Sequence, residues 1–391
     1  MTLTSAEERV ASVPWEALTG LGPLLDEPLR HVLEGSAAER VLDTVLRANR
    51  SLSADQRQVV AESVFGVGLW RRRLRALHSR EASPRELLAT LVNDLGQRAH
   101  GFEMLQVRTK VLNRFSDWRD RHSVPDWLAV ELEGEFAAAA ETAAAALNEP
   151  GPICLRPNTL KTTRDELARV LEREGILTRP GQHSSEALVI TSPARPNLYG
   201  TAASAAALFE VQDEGSQLLG QSLGAQPGDE VLDLCAGAGG KSLQLAGHVA
   251  PEGRVHAFDI DPAKLARLRH RAERAGAAIA VHSEIPAKSF DRILCDAPCS
   301  ELGALRRGPD LRWRIDPATF AHLFEINLQL CRQALSLLKP GGRLVYATCT
   351  FRRAENEAVV EALGIEPSKI LKVAPHTHGT DGFFTAVFNC P

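Results

Sequence analysis

The sequence predicts a doubly wound, mostly parallel α/β sheet over residues 225–391. A small α+β segment (146–224) and an all-α region (1–145) precede it. Three observations carry this. From Glu230 onward the apolar runs VLDL, VHAF, AIAV, RILC and RLVYAT alternate with helix-patterned stretches, the arrangement that builds a parallel sheet with crossover helices. Up to about residue 145, apolar residues recur at helical spacing with no strand alternation. Between these parts, strand and helix patterns mix.

In the first region AERVLDTVLRANR puts Val41, Leu42, Val45 and Leu46 on one stripe. Ser53, before Ala54-Asp55-Gln56, is placed to cap the next helix. The alanine-rich EFAAAAETAAAALNEP is a strong helix former that stops at Pro150. Next, ICLRPNTL reads as a strand meeting a turn at Pro157-Asn158, TTRDELARVLEREG as a capped helix ending at Gly175, and ALVIT as a strand. VQDEGSQLLGQSLG reads as the helix that leads into the core, and FFTAVF as a closing strand.

Composition excludes several classes. The chain has 391 residues, 44% hydrophobic, enough for more than one core. No run of 18 or more apolar residues occurs, so no membrane partner is expected. The beginning, MTLTSAEERV, lacks the basic-then-apolar pattern of a signal peptide. Seven cysteines without framework spacing suit a reducing compartment, and a cytoplasmic monomer is the expectation. The net charge of −4 argues against broad, nonspecific attraction to nucleic acid. PHTHG lacks partnering cysteines or carboxylates, so no metal is expected.

The chemistry starts at VLDLCAGAGGKS, Val231–Ser242, where an apolar strand ends at Asp233 and a glycine-dense turn follows. A phosphate-binding loop would need Gly where Cys235 stands, and a dinucleotide fingerprint read from Gly237 would need Gly where Ser242 stands. A nucleoside cofactor whose ribose is held by an acid after the next strand fits better. RVHAFDID supplies that acid as Asp259.

Two cysteines narrow the class. Cys299, in FDRILCDAPCS, and Cys349, in GGRLVYATCT, both follow predicted strands, the end at which open α/β sheets bind ligands. C5 of a cytosine is too weak a nucleophile to take a methyl group unaided. A thiolate adding at C6 makes C5 enamine-like, after which C5 accepts the methyl, loses its proton and expels sulfur. An acid beside the ring is also needed, and Asp296 is the natural candidate.

These motifs, with AENE after YATCT and the terminal DGFFTAVF, resemble those of the Nop/Sun family of RNA cytosine-5 methyltransferases. The resemblance implies a Rossmann-like methyltransferase core, an N-terminal domain like the antitermination factor NusB, and S-adenosyl-L-methionine as cofactor. It also implies an RNA substrate, ribosomal in preference to transfer RNA. It assigns Cys349 as nucleophile, Cys299 to product release and Asp296 as catalytic acid. The cofactor would lie against Cys235, Ala236, Gly237, Ala238, Gly239, Gly240, Lys241, Asp259 and Asp296, with Glu284 as the acid on its adenine side. RNA contacts are expected from Arg156 and Asn158, where the family has an RVNTL pattern, and the basic, aromatic-bearing RRGPDLRWR adds Arg306, Arg312 and Trp313. RRRLR, Arg71–Arg75, reads equally as a solvated helix face or as RNA contact.

Three positions depart from the family pattern. Glu301 follows DAPCS where Gly is usual, Thr350 replaces Ser, and AVHSEIPAKSF is a shortened connection before Asp291. The alternative function is a noncatalytic RNA-binding protein on a methyltransferase fold. A DNA methyltransferase would use Cys299 and leave Cys349 without a task.

Overall fold

The structure, a computed structural model, describes residues 6–97, 101–106, 115–193 and 196–390. It divides into two units. One is helical and holds the residues up to Pro150 together with Leu305–Pro317; the other holds Gly151–Ala304 and Ala318–Pro391.

In the helical unit no strand occurs among the described residues before Cys154. Its centre is the helix Ala54–Ala76, which buries Val59, Val60, Val64, Val67, Trp70 and Leu74. Ser53 caps it as its sequence position suggests: its Oγ accepts from Gln56 N, while Gln56 Oε1 accepts from Ser53 N, a reciprocal pairing that satisfies two otherwise orphaned groups. The alanine-rich stretch is not one helix. Asp126–Phe136 ends, a short turn follows, and Ala140–Ala146 resumes, with Ala137 at φ 47°. High helix propensity alone does not keep the run continuous.

The second unit contains two sheets. The smaller has strands β1 (Cys154–Pro157), β2 (Leu177–Pro180), β3 (Leu188–Ser192) and β4 (Phe209–Val211) in the antiparallel order β2-β3-β1-β4. Two of these, the four-residue β2 and the three-residue β4, are too short to show in the sequence.

The larger sheet has β5 (Glu230–Asp233), β6 (Arg254–Phe258), β7 (Ile279–His282), β8 (Phe290–Asp296), β9 (Leu338–Thr348), β10 (Lys369–Val373) and β11 (Phe383–Asn389). Their order is β10-β11-β9-β8-β5-β6-β7. Strands β5 to β9 are parallel to their neighbours, whereas β11 and β10 run antiparallel at one edge. The chain winds outward from β5 through β6 to β7, then restarts at β8 on the other side of β5. This reversal opens a crevice beyond the carboxyl ends of β5 and β8, where such sheets bind ligands. Ile293, Leu344, Tyr346, Phe384 and Phe388 are buried about the centre, each apolar side chain contributing roughly 1.5–3 kcal/mol. No helix among the described residues is long and apolar enough to cross a membrane.

Candidate active site

The site grows from the ends of three strands. Register pairs Asp233 with Leu294 across β5 and β8, and Asp296 with Ala347 across β8 and β9. The loops after these strands therefore emerge side by side.

After β5 the turn needs glycine. Gly237 (φ +54°) and Gly239 (φ +88°) lie in the left-handed region, and a Cβ at Gly237 or Gly240 would meet no atom within 4 Å. The backbone is thus exposed to a ligand there. Cys235 takes part differently, because its thiol is engaged with Cys295 and stays protonated, its pKa raised first by that contact and then by burial. Only its backbone is available to a cofactor.

Asp259 stands one residue past β6, and its carboxylate accepts from Gly237 N at 2.8 Å and from Asp261 N at 2.9 Å. These bonds orient both oxygens while leaving each a further lone pair for a ribose hydroxyl. Ile260, beside it, is 89% exposed, an apolar surface suited to the flat face of an adenine. The sequence reading passed over it, although an apolar residue directly after a ribose acid is a usable signal. Glu284 is exposed, two residues beyond β7. The glycine turn, the oriented acid and the apolar surface fit a nucleoside cofactor.

Beneath the turn, Asp233 accepts from Ser242 Oγ at 2.6 Å, and its other oxygen is buried without a partner. Burial raises its pKa to about 7. Lys241 Nζ donates to Asp296 Oδ2 at 2.6 Å. Burial acts to lower the lysine's pKa, but the charge of Asp296 and this hydrogen bond outweigh it, and the ammonium is held above its ordinary value.

Cys299 and Cys349 come together, Sγ to Sγ 3.3 Å. Gly303 N donates to Cys349 O, and Gly382 N to Gly303 O. A Cβ at Gly303 would lie 2.1 Å from Gly382 O, so this close approach requires glycine. The Cys349 thiol is held well above the usual range, first by its contact with Cys299, then by burial, and further by Asp296 and Glu301. Glu301 is exposed with φ +58°. That left-handed conformation explains in backbone terms why Gly is usual at this position.

The residues expected to contact RNA have partners within the chain. Arg156 is 2% exposed and donates to Gln212 Oε1 and, at 2.8 Å, to Gly240 O. Asn158 Nδ2 bridges Ala207 O and Ala275 O, the structural turn weighed against RNA contact. Arg312 is fully buried in the helical unit, donating to Asn148 Oδ1 at 2.8 Å and Leu147 O at 3.1 Å. Arg306 is also buried, and Trp313 Nε1 donates to Leu69 O while Arg71 stacks on its ring at 5.0 Å. In RRRLR, Arg71 donates to the carbonyls of Val32, Leu33 and Gly68, and Arg73 pairs with Asp94 and Glu7. Basic residues near an aromatic are as useful for closing a helical core as for holding RNA, and sequence alone does not separate the two. Among the described residues no group of three or more His, Cys, Asp or Glu could hold a metal ion.

The sheet order, glycine turn and oriented acid define a Rossmann-like methyltransferase. A methyltransferase homologue from Pyrococcus horikoshii superposes with a TM-score of 0.62 at 26% identity, covering 70% of this chain and 98% of that one. The description "16S rRNA methyltransferase RsmB/F" matches residues 220–366, and a ferredoxin-like domain of RsmF/B-like methyltransferases matches residues 124–196. The Bacillus subtilis (strain 168) protein named "Probable ribosomal RNA small subunit methyltransferase B" is 34% identical over 67% of this chain and 65% of its own length. Ribosomal RNA small subunit methyltransferase B of Serratia proteamaculans (strain 568) is 32% identical over 71% and 68%. The chain belongs to this RsmB/F family, in agreement with its resemblance to Nop/Sun proteins, and spans about two thirds of the length of the curated relatives it matches.

Proposed function

We propose that the protein methylates C5 of a cytosine in RNA, with ribosomal RNA as the substrate, by way of a covalent bond between Cys349 and C6 of the base. The single observation that carries this reading is the approach of two thiols to 3.3 Å at the ends of adjacent parallel strands, beside the half-buried Lys241–Asp296 pair. A binding protein has no use for that arrangement. Family membership supports an RNA methyltransferase, and the names of the relatives support a ribosomal target.

S-adenosylmethionine, when bound, supplies an electrophilic methyl group. Residues Cys235 to Lys241 would hold its amino-acid end and Asp259 its ribose. Asp296, held in place by Lys241 Nζ, stands as the group that hydrogen-bonds the pyrimidine edge and balances charge on the ring during attack. Cys349 adds as thiolate to C6. After C5 is methylated, its proton passes to Cys299, which acts as a thiolate after giving its own proton to solvent, the C5–C6 double bond re-forms, and the C6–S electron pair returns to Cys349. Because the Cys349 thiol is held protonated at rest, attack requires its proton to leave when substrate arrives.

Bisulfite sequencing of total RNA from cells with and without the gene tests this. Loss of one 5-methylcytosine from 16S ribosomal RNA is expected. An unchanged methylation map would remove the proposal.

A further inference from the structure

Two side chains of the turn after β9 reach back to the two cysteine loops separately. Glu355 and Asn356 are each 1% exposed. Glu355 Oε2 accepts from Ser300 N at 2.7 Å, the peptide nitrogen immediately after Cys299, while its Oε1 accepts from Arg352 at 2.9 Å. Asn356 holds the other loop on both sides of Cys349. Its Oδ1 accepts from Thr348 Oγ1 at 2.6 Å, and its Nδ2 donates to Thr350 O at 3.0 Å. The Ser300 and Thr350 hydroxyls then meet at 2.8 Å.

The strands end at Asp296 and Thr348, so each cysteine lies beyond its strand, and of the main-chain bonds there Gly303 N to Cys349 O joins the two loops. A buried carboxylate accepting a backbone N–H and an arginine is a strong anchor. A buried amide bonded through both its oxygen and its nitrogen cannot rotate without losing both bonds.

We propose that Glu355 and Asn356 are positioning residues with separate assignments: Glu355, through Ser300, sets Cys299, and Asn356, through Thr348 and Thr350, sets Cys349. The proposal rests on the reading of Cys349 as nucleophile and Cys299 as the residue that accepts the C5 proton. Neighbouring residues should then fail at opposite ends of one reaction. Loosening Cys349 slows formation of the Cys349–C6 bond. Loosening Cys299 leaves that bond intact and slows its cleavage, since the proton has no acceptor and the electron pair does not return to sulfur.

The test uses the full chain, S-adenosylmethionine labelled in its methyl group and 16S ribosomal RNA transcribed in vitro. Denaturing gels measure RNA-linked protein, and released product is measured in parallel. Glu355→Ala should accumulate linked protein at least several-fold above wild type, as Cys299→Ala does. Asn356→Ala should form linked protein tenfold or more slowly and accumulate none. Two milder variants keep the test decisive if either alanine variant fails to fold. Glu355→Gln retains an acceptor for only one of the two donors and should trap an intermediate amount. Thr348→Val removes one anchor from Asn356 and should slow bond formation several-fold.

If the Glu355 and Thr348 or Asn356 variants change in the same direction, the separate assignments are wrong. If Cys299→Ala traps adduct and no Glu355 variant does, the Glu355 assignment alone falls. If Cys299→Ala traps nothing, the catalytic reading falls and takes this inference with it.

Discussion

In the helical unit, Arg71 gives its guanidinium nitrogens to three main-chain carbonyls and the buried Arg312 donates to Leu147 O and Asn148. At the carboxyl ends of β5, β6, β8 and β9 the polar groups are held just as firmly but retain capacity. Asp259 has lone pairs beyond the two N–H groups it accepts, and two thiols face each other without an S–S bond. The difference teaches that residue type is a poor guide to role here. A charged group turned inward onto its own main chain can serve as architecture, and one oriented at the strand ends with bonding capacity left over is placed to meet a ligand.

Four substitutions probe that contrast, beginning with the largest effect. Cys349→Ala should lower methyl transfer by on the order of 10³-fold or more with an unchanged melting temperature, measured as methyl incorporation into RNA and by calorimetry. Residual activity within tenfold of wild type would mean that the two thiols are architecture after all.

Arg312→Ala should behave in the opposite way. It removes a fully buried side chain and takes the Arg312 donors from Asn148 Oδ1 and Leu147 O, which costs roughly 3–5 kcal/mol. Thermal unfolding should show an early transition, while activity per folded molecule at low temperature should stay near wild type. RNA affinity that falls without a fall in stability would restore Arg312 to the RNA-binding role first expected of it.

Asp259→Ala should weaken S-adenosylmethionine binding by roughly ten- to a hundredfold, since charge-assisted hydrogen bonds contribute about 1.5–3 kcal/mol. Isothermal titration of the folded variant measures this, and equal affinity would remove Asp259 from the site.

Glu301→Gly should have the smallest effect and is the most diagnostic of the boundary between the two kinds of residue. Relief of the left-handed backbone should add about 1 kcal/mol of stability. The same change removes a negative charge that helps hold the Cys349 thiol up, so its pKa should fall. Thiolate then forms at lower pH, and the rising limb of adduct formation, which in the parent chain lies above the ordinary thiol range, should move toward neutrality. A stabilised variant with an unmoved pH profile would confine Glu301 to a backbone role.

What could be read in advance was what lies close together in the chain. The glycine turn, Asp259 and both cysteine motifs were legible because strand, turn and acid are contiguous and their spacing carries the chemistry. The cap at Ser53 was legible for the same reason. Nonlocal facts were not. Nothing in Arg306–Arg314 tells that its side chains fold with residues 160 or more positions earlier, and nothing in the alanine run marks the break at Ala137. The AENE motif served as a family marker, but the reach of Glu355 and Asn356 to two different loops appears only when the loops have been brought together.

The return of Leu305–Pro317 to the helical unit bears on how the protein is made. Ala38 N donates to Asp310 Oδ2, Leu69 O accepts from Trp313, and Asn148 and Leu147 O are satisfied by Arg312. The helices of the first 150 residues therefore leave the ribosome before the piece that closes them has been translated. At about 5–20 residues per second, that piece follows some 10–30 seconds later, and until then Leu69 O, Leu147 O and Asn148 Oδ1 wait for the donors that Trp313 and Arg312 bring.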